Sequence, residues 1–255
     1  MADTERFYDD LAASYDLIFG DWAASRRRQG EAIARLVERA FPAHTPSDVT
    51  VLDVAAGIGT QSLPLAERGY RVKCRDLSAG AIARLQQEAR GLGISIDAEP
   101  ADMRVVHGTI SEPVDVVLAF DNAVPHLLSD QEIARAFASF HRVLRPGGLC
   151  VLSVRDYEKE ARGVDSAQTY GVRTRDGVRT IPLQAWRWLD DRHYEVTFFF
   201  VRDGVEARVD RTSTGVYYAI STTRLLELLG EAGFVGCERL DDVIWQPVLV
   251  ARKPE

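Results

Sequence analysis

The sequence predicts an α/β fold built on a mostly parallel β-sheet with helices on both faces. Short apolar runs typical of buried strands alternate with helical patterns from residue 49 to residue 155. The first strand-like run ends in small residues and two glycines, Gly57 and Gly59. Strands that alternate with helices at this spacing favour parallel pairing. A length of 255 residues suffices for one such domain with an insertion or a small lid.

The pattern divides the chain into four segments. They are an N-terminal helical lid over 1–48, a cofactor-binding α/β core over 49–155, an inserted β meander over 156–219, and a last helix with two closing strands over 220–255. Apolar residues spaced three and four apart predict helices at about 3–19 and 22–41. These two helices either fold over a crevice as a lid or cover a sheet edge. Two tight-turn dipeptides, Asp176-Gly177 and Asp203-Gly204, mark the meander.

The glycine-containing turn after the first strand predicts a cofactor site. Glycine at Gly57 and Gly59 lets the backbone pass close to a ligand where a Cβ would clash. Asp76 follows the second strand-like run, where an acidic side chain can accept both hydroxyls of a ribose. Ser62 stands where a dinucleotide fingerprint has its third glycine, and no Gly-Lys-Ser/Thr follows. The sequence therefore predicts an adenosine-type cofactor and disfavours a dinucleotide or a nucleoside triphosphate.

Net charge, cysteine placement and the length of the apolar runs limit the kinds of partner that the protein is expected to bind. The net charge of −7 argues against a nucleic-acid partner, which requires a basic surplus or stripe. The three cysteines, Cys74, Cys150 and Cys237, lie in apolar runs without metal-type spacing, so reduced buried thiols and no metal site are expected. Residues 1–6 are polar, and no run approaches the roughly 18 apolar residues of a membrane span. A cytoplasmic protein without a membrane partner is expected.

Three stretches, taken together, are typical of one family. They are Leu52-Asp53-Val54-Ala55-Ala56-Gly57-Ile58-Gly59, Arg75-Asp76-Leu77-Ser78 and Leu144-Arg145-Pro146-Gly147-Gly148. They resemble the class I S-adenosylmethionine-dependent methyltransferases over roughly 49–155. The resemblance implies an enzyme with a Rossmann-like seven-stranded sheet closed by an antiparallel hairpin, and a meander above the carboxyl ends of the strands. It also implies S-adenosyl-L-methionine as cofactor and S-adenosyl-L-homocysteine as product.

The resemblance implies a set of cofactor-binding residues. They are Tyr15, Arg26, Asp53, Ala55, Gly57, Gly59, Asp76, Leu77, Asp102, Met103 and Phe120. Asp102 would meet the adenine amino group and Met103 the ring, although a surface turn would also begin with Asp102. Asp53 would hold the loop and a bound amine. Ser25 stands where the family has an arginine for the methionine carboxylate, so that role falls to one of Arg26 to Arg28, of which we name Arg26.

Two further stretches narrow the resemblance. Asn122-x-x-x-His126-Leu127 and Arg155-Asp156-Tyr157 resemble segments of the glycine and sarcosine N-methyltransferases. The implied catalytic residues are His126, Asn122 and Tyr217, and the implied substrate-binding residues are Asn122, His126, Arg155, Tyr157 and Tyr217.

Each of these residues has an expected role. Arg155 would offer a planar fork to a substrate carboxylate. His126, whose ordinary pKa lies near neutrality, would orient or deprotonate an amine, or serve only as a structural hydrogen-bonding group. Asn122 would position the substrate. Of Tyr217 and Tyr218, one would donate to the substrate and the other would pack.

The chain departs from that branch at two acidic residues. Asp156 replaces an asparagine beside Arg155, and Asp121 replaces a glycine before Asn122. Both substitutions add negative charge, which disfavours glycine itself and favours a substrate with an amine or a second cationic group. Trp186 and Trp188 lie two apart on one strand face and form either the meander's own core or a cage for a methylated ammonium.

The expected function is transfer of a methyl group to a small-molecule acceptor, most simply the amine of an amino-acid-like substrate that bears a carboxylate. The alternatives are a natural-product methyltransferase acting on an amino sugar or hydroxyl, and a non-catalytic protein that binds the cofactor and docks on a partner. Asp121-Asn122-Ala123-Val124 is not the Asn-Pro-Pro-aromatic signature used on flipped bases. A homo-oligomer is left open.

Overall fold

The computed structural model describes residues 2–204 and 208–255, and a seven-stranded sheet forms its centre. The strands are β1 (Thr50–Asp53), β2 (Arg71–Asp76), β3 (Asp97–Pro100), β4 (Val114–Ala119), β5 (Leu144–Ser153), β11 (Val235–Leu240) and β12 (Val248–Arg252). They lie in the order β3-β2-β1-β4-β5-β12-β11. The first five are parallel, and β12 is antiparallel to both of its neighbours. The predicted Rossmann-like sheet with a closing hairpin is confirmed.

Helices cover both faces of this sheet, as predicted. They are α1 (Ala2–Ala12), α2 (Trp22–Ala40), α3 (Ser62–Glu67), α4 (Ala79–Gly91), α5 (Asp130–Val143) and α6 (Thr222–Glu231). Phe137 of α5 and Leu225 of α6 pack on one face, whereas Ile33 of α2 and Leu85 of α4 pack on the other. Ser78 accepts a hydrogen bond from the Ala81 amide at 2.9 Å and begins α4, as its type predicts.

The insertion forms a second, antiparallel sheet. Its strands are β6 (Ser166–Thr169), β7 (Arg173–Arg175), β8 (Val178–Trp188), β9 (His193–Arg202) and β10 (Arg208–Tyr218). They lie in the order β10-β9-β8-β6, with β7 also paired to β8. Asp176 and Gly177, at φ 51° and 76°, join β7 to β8 by the predicted two-residue turn. The turn predicted at Asp203-Gly204 runs into residues 205–207, which lie outside the described residues.

Three predicted elements differ from the structure. The helix predicted over 3–19 ends at Ala12, and a separate 3₁₀ turn, Tyr15–Ile18, follows. The break occurs because Ser14 has a non-helical backbone, with φ −127° and ψ 2°. The sequence predicts the third strand over 94–99, but β3 begins three residues later because the Ile94 amide still caps helix α4, donating to the Ala89 carbonyl at 2.9 Å. The fifth strand is predicted over 149–155, but β5 begins at Leu144, with a register shift opposite the start of β4.

Helix α1 joins the insertion to the core. The Ser213 hydroxyl of β10 donates to the Phe7 carbonyl at 2.7 Å. A Cβ on Gly215 would lie 2.9 Å from the Phe7 ring, so this glycine allows α1 to pack directly on β10. At the other side of α1, Asp9 accepts hydrogen bonds from the Ser78 hydroxyl at 2.5 Å and the Gly80 amide at 2.9 Å. These contacts hold α1 across the carboxyl ends of the parallel strands.

The four segment boundaries drawn from the sequence stay a prediction. Among the helices of the described residues, none is long and apolar enough to cross a membrane.

Candidate active site

The turn after β1 leaves room for a ligand at one glycine and is closely packed at the other. Gly57 and Gly59 have φ values of 50° and 93°, a region that L side chains rarely adopt. A Cβ on Gly59 would lie 2.6 Å from Leu63, so this glycine serves the packing of α3 against the loop. A Cβ on Gly57 would have no protein atom within 4 Å, and Gly57 lines a cavity above the sheet. A ligand can therefore approach the backbone at Gly57.

Asp76 is fixed at the end of β2 by two backbone amides. Its Oδ2 accepts from the Gly57 amide at 2.8 Å and its Oδ1 from the Ser78 amide at 2.9 Å. The carboxyl lines the cavity, is 9% exposed, and has its pKa raised by burial. Each carboxylate oxygen keeps a free lone pair, so two ribose hydroxyls can donate to it. This is the geometry that an adenosyl group requires.

Three apolar residues of the predicted set line this cavity. Leu77, Met103 and Phe120 all contribute to its wall. Asp102 is also present, and the Nε of Arg104 donates to its Oδ1 at 3.0 Å. Arg104 therefore fixes the orientation of the Asp102 carboxylate, and both residues line the cavity. These residues fit a purine ring with an exocyclic amino group.

Asp53 lies beneath the loop and does not line the cavity. Its Oδ2 accepts from the Ser62 hydroxyl at 2.5 Å and its Oδ1 from the Ala55 amide at 3.3 Å. Complete burial raises its pKa to about 7. Ser62, which argued against a dinucleotide, thus bonds to the loop carboxylate. Ala55 itself lines the cavity.

The basic residues of α2 do not reach the cavity. Arg26 lies 3.7 Å from the carboxylate of Glu67 and 5.3 Å from the centre of the Trp22 ring. Arg27 and Arg28 are exposed. Thr60 and Gln61, which lie just before and at the start of α3, line the cavity instead. The predicted contact between Arg26 and a methionine carboxylate stays a prediction.

A second cavity adjoins the first. Three residues line both, namely Tyr8, Tyr15 and Asp121. The second cavity, which we call the acceptor chamber, is walled by aromatic residues of α1 and the insertion, including Phe7, Trp186, Tyr194, Phe198 and Tyr217. Tyr217 lines the chamber, whereas the Tyr218 hydroxyl donates to Asp130 at 2.9 Å. The expected role of Tyr217 toward a substrate stays a prediction.

Asn122 and Tyr157 form a buried hydrogen-bonded chain beside the chamber. The Asn122 amide nitrogen donates to the Tyr157 hydroxyl at 2.7 Å, which lies 2.8 Å from the Tyr194 hydroxyl. The Asn122 amide oxygen accepts from the Arg155 backbone at 3.0 Å. Tyr157 is fully buried and lines neither cavity, and burial raises its pKa to about 12. The structure therefore places Tyr157 behind the chamber wall.

His126 lies between the two sheets and is neutral. Its Nδ1 lies 3.0 Å from the Val216 carbonyl, which can only accept, so Nδ1 carries the proton. Its Nε2 then accepts from the Tyr8 hydroxyl at 2.8 Å. Burial lowers the pKa of His126 to about 3. With both ring nitrogens engaged, His126 orients Tyr8 at the junction of the two cavities.

Arg155 lines the chamber but already has a carboxylate partner. Its Nη1 lies 3.1 Å from Glu160, and its guanidinium stacks 4.5 Å from the Trp186 ring centre. Asp156 pairs with Arg239 at 2.7 Å and lines neither cavity. Asp156 therefore adds no charge to the wall of the chamber, because Arg239 holds its side chain elsewhere. Asp121 does line the chamber, and the effect of either charge on an acceptor stays a prediction.

Trp186 and Trp188, expected to form either the core of the insertion or an aromatic cage, lie in different surroundings. Trp186 lines the chamber and stacks on Tyr194 at 4.5 Å. Trp188 lies 5.4 Å from Tyr194 and lines neither cavity. A cage made from both tryptophans does not form, and Trp188 packs within the insertion.

Sequence reasoning missed several residues of the site. Tyr8, Gln61 and Gln184 line the two cavities, yet none carries a local signal. Tyr8 belongs to the apolar pattern that predicts α1, and only the contact with His126, 118 residues away, distinguishes it.

Part of the chain is similar in sequence to known methyltransferases. Residues 51–148 match a family model described as a methyltransferase domain. A glycine/sarcosine N-methyltransferase of Parasynechococcus marenigrum is 28% identical over 62% of this chain and 54% of its own length. A tRNA 5-carboxymethoxyuridine methyltransferase of Escherichia coli is 29% identical over 60% of this chain and 57% of its own. The chain thus spans little more than half the length of these curated relatives.

Solved structures match almost the whole chain. Streptomyces venezuelae DesVI has a TM-score of 0.77 at 23% identity, covering 96% of this chain and 99% of its own. The sugar N-methyltransferase KedS8 of Streptoalloteichus has a TM-score of 0.74 at 20% identity, covering 94% and 93%. These likenesses establish the fold, including the insertion. The family match shows a methyltransferase domain over residues 51–148, and the curated relatives show that the chain resembles the glycine/sarcosine N-methyltransferase branch of the S-adenosylmethionine-dependent methyltransferases.

Proposed function

We propose that this chain transfers the methyl group of S-adenosyl-L-methionine to the amine of a small molecule, leaving S-adenosyl-L-homocysteine. One observation carries the proposal. The cavity that fits the adenosyl group and the acceptor chamber share Tyr8, Tyr15 and Asp121. A donor in the first cavity and an acceptor in the second would therefore meet at these three residues.

The residues of the chain hold the two reactants and exclude water. A bound sulfonium supplies the methyl group by direct displacement, in which a nitrogen–carbon bond forms while the carbon–sulfur bond breaks and the electron pair stays on sulfur. Asp76 orients the donor through its ribose, and the aromatic chamber orients the acceptor. Helix α1 covers the junction with Tyr8, which His126 holds in place. An ammonium must lose a proton before its nitrogen attacks, and His126 cannot take it because both of its ring nitrogens are engaged. The Asp121 carboxylate at the junction accepts that proton and passes it to solvent.

An amine is favoured over a hydroxyl by charge at the junction. Asp121 lies there half-buried, and an anionic side chain attracts an ammonium more strongly than it attracts a neutral hydroxyl. The names of the relatives support the same choice, since a glycine/sarcosine N-methyltransferase and a sugar N-methyltransferase both act on nitrogen. One relative is a tRNA methyltransferase, which suggests a nucleic acid as an alternative acceptor. The net charge of −7 disfavours binding of a nucleic acid.

Two acceptor classes are supported by different observations. An amino-acid-like acceptor is supported by Arg155, which lines the chamber and can meet a carboxylate. An amino sugar is supported by neutral hydrogen-bond donors in the chamber wall and by the pairing of Arg155 with Glu160. A purely cofactor-binding protein is the remaining alternative.

Turnover tests the proposal directly. The full chain is incubated with methyl-labelled S-adenosylmethionine and a panel of amino acids, amino sugars and phenols, and the products are identified by mass. We expect labelled N-methyl product together with S-adenosylhomocysteine. Labelling of phenols alone, or tight donor binding without turnover on any amine, contradicts an N-methyltransferase.

With an acceptor that carries a carboxylate, Arg155→Ala is expected to raise the acceptor KM by about 10-fold or more and to leave the donor KM within about twofold. Arg155 lines only the acceptor chamber, and hydrogen bonds from a charged donor contribute about 1.5–3 kcal/mol. Steady-state kinetics with each substrate varied in turn provide the measurement. Arg187→Ala is the control, because Arg187 is exposed and pairs with Glu195 away from the chamber. Equal changes in both KM values would remove Arg155 from the acceptor site.

A further inference from the structure

We infer that the acceptor is an amine whose charged nitrogen is bound by Asp121 and whose body carries neutral oxygens that accept hydrogen bonds from Gln184 and Trp186. This inference rests on the proposed function and deepens it by naming the acceptor's chemistry. It combines an anionic group at the cavity junction with neutral donors in the chamber wall.

The backbone holds Asp121 in an unfavourable conformation. Asp121 and Asn122 follow β4 with φ values of 54° and 65°, two consecutive residues in the left-handed region. Such conformations cost about 1–3 kcal/mol each and persist only where the surroundings impose them. Ser153 imposes this one, since its hydroxyl accepts from the Asp121 amide at 2.7 Å and its carbonyl from the Asn122 amide at 3.1 Å. Aspartate is one of the few residues besides glycine that tolerate this region, so the turn can present a carboxylate at the junction of the two cavities.

One of the two carboxylate oxygens of Asp121 has no hydrogen-bond donor among the described residues. Oδ2 accepts from the Gln61 side chain at 3.0 Å, and Gln61 is itself anchored to Gln29 at 2.8 Å. Oδ1 is buried and has no hydrogen-bond partner among the described residues. A buried acceptor without a partner costs about 1–3 kcal/mol, and more when it is charged. An ammonium in the chamber would satisfy it. Burial raises the pKa of Asp121, and a bound cation would lower it again.

Two neutral hydrogen-bond donors on β8 line the acceptor chamber and have no acceptor among the described residues. The Gln184 side-chain nitrogen and the Trp186 indole nitrogen are buried without hydrogen-bond partners in the described part of the chain. Both line the chamber and lie two residues apart on β8, so they project from the same face. Gln184 is only 3% exposed. Buried polar atoms are nearly always bonded, so unpartnered donors in a cavity wall indicate oxygens of a ligand.

Those oxygens are better matched by hydroxyl or ether groups than by a carboxylate. Arg155 is the cation on this side of the chamber, and Glu160 compensates its charge through Nη1 at 3.1 Å. Its Nε is buried without a hydrogen-bond partner among the described residues and is a third donor for a ligand oxygen. A carboxylate entering here would bring a second anion close to Glu160. Gln184 and Trp186 carry no charge and bond equally well to neutral oxygens. The chamber therefore selects an amine with hydroxyl or ether groups.

Binding to the full chain loaded with S-adenosylhomocysteine tests the inference without requiring turnover. Glucosamine, glucose and serine serve as probes, and their dissociation constants are measured by saturation-transfer NMR. Glucosamine is expected to bind about 10-fold or more tightly than glucose, which lacks the amine, and more tightly than serine, which carries a carboxylate. Equal binding of the three probes, preference for serine, or no binding of any probe overturns the inference.

Asp121→Asn then assigns the amine preference to one residue. Asparagine also tolerates the left-handed backbone and can accept from Gln61, so the variant removes charge while keeping shape. The difference between glucosamine and glucose is expected to disappear, with donor affinity changed less than about threefold. Asp156→Asn, which removes the same charge from a side chain paired with Arg239, should keep the full difference. Persistence of the amine preference in Asp121→Asn refutes the assignment.

Two further outcomes separate this inference from the proposed function. Selective binding of glucosamine without methyl transfer upholds the chamber chemistry and counts against the enzyme. Methyl transfer to serine with no preference for glucosamine upholds the enzyme and refutes the chamber chemistry. Gln184→Leu tests the proposed hydrogen bond to the oxygens of the ligand. The dissociation constants of glucosamine and of glucose are both expected to rise by about fivefold.

Discussion

Replacing Asp76 by alanine is expected to weaken S-adenosylmethionine binding by about 100-fold or more. Two hydrogen bonds from ribose hydroxyls to a buried carboxylate contribute about 1.5–3 kcal/mol each, and their sum corresponds to at least two orders of magnitude in dissociation constant. The variant also removes the acceptor for the Gly57 and Ser78 amides, which shape the loop around the donor. Isothermal titration with the donor measures the effect.

Two companion variants keep the Asp76 result interpretable. Asp76→Asn retains one acceptor oxygen for the loop amides, so it carries the same test if the alanine variant fails to fold. Asp97→Asn alters a carboxylate on the neighbouring strand β3 that pairs with Lys73 and Arg75 outside the donor cavity. Its donor affinity should match that of the original chain. Unchanged affinity in Asp76→Ala would show that the adenosyl group binds elsewhere.

Acidification is expected to destabilise the chain through His126. Burial holds the pKa of His126 at about 3, whereas an unfolded histidine titrates near 6.5. Between these values the unfolded state binds a proton that the folded state does not bind, so stability falls as pH drops below about 6.5. The slope is about 1.4 kcal/mol per pH unit, or about 2 kcal/mol at pH 5 relative to neutrality. Above pH 7 the contribution is constant.

His126→Gln isolates that contribution from the other titrating groups. Glutamine cannot titrate, so urea unfolding at pH 7.5, 6 and 5 should show the original chain losing about 2 kcal/mol more than the variant. Burial also raises the pKa of Asp76 and Asp121, and such shifts act in the opposite direction, but both chains share them. Parallel stability profiles for the two chains would mean that His126 protonates freely and is not held by Tyr8.

Local patterns were enough to predict the core. An apolar run followed by glycines specifies β1 and its turn because both features depend on neighbouring residues only. The carboxylate at Asp76 was equally predictable, since it directly follows a strand whose place beside β1 is set by the alternation of strands and helices. The paired strands of the insertion were predicted for the same reason, from turn dipeptides flanked by strand-forming residues.

Contacts between distant residues decided the rest of the site. Asp121 and Asp156 each follow a parallel strand, and nothing local shows which of them faces the acceptor chamber. Arg239, contributed by β11, draws Asp156 away, whereas Ser153 turns Asp121 inward. For His126 the sequence leaves a base and a structural hydrogen-bonding group as alternatives. Only the contacts of its two ring nitrogens with Val216 and Tyr8, 90 and 118 positions away, favour the second.

The donor cavity is the central claim, and titration of the purified chain with S-adenosylmethionine tests it most directly. Calorimetry should show one equivalent bound with a micromolar or tighter dissociation constant, competition by S-adenosylhomocysteine, and no heat with reduced nicotinamide dinucleotide. Binding of the dinucleotide in place of the sulfonium would contradict the assignment of Gly57 and Asp76, and with it the methyl transfer built on them.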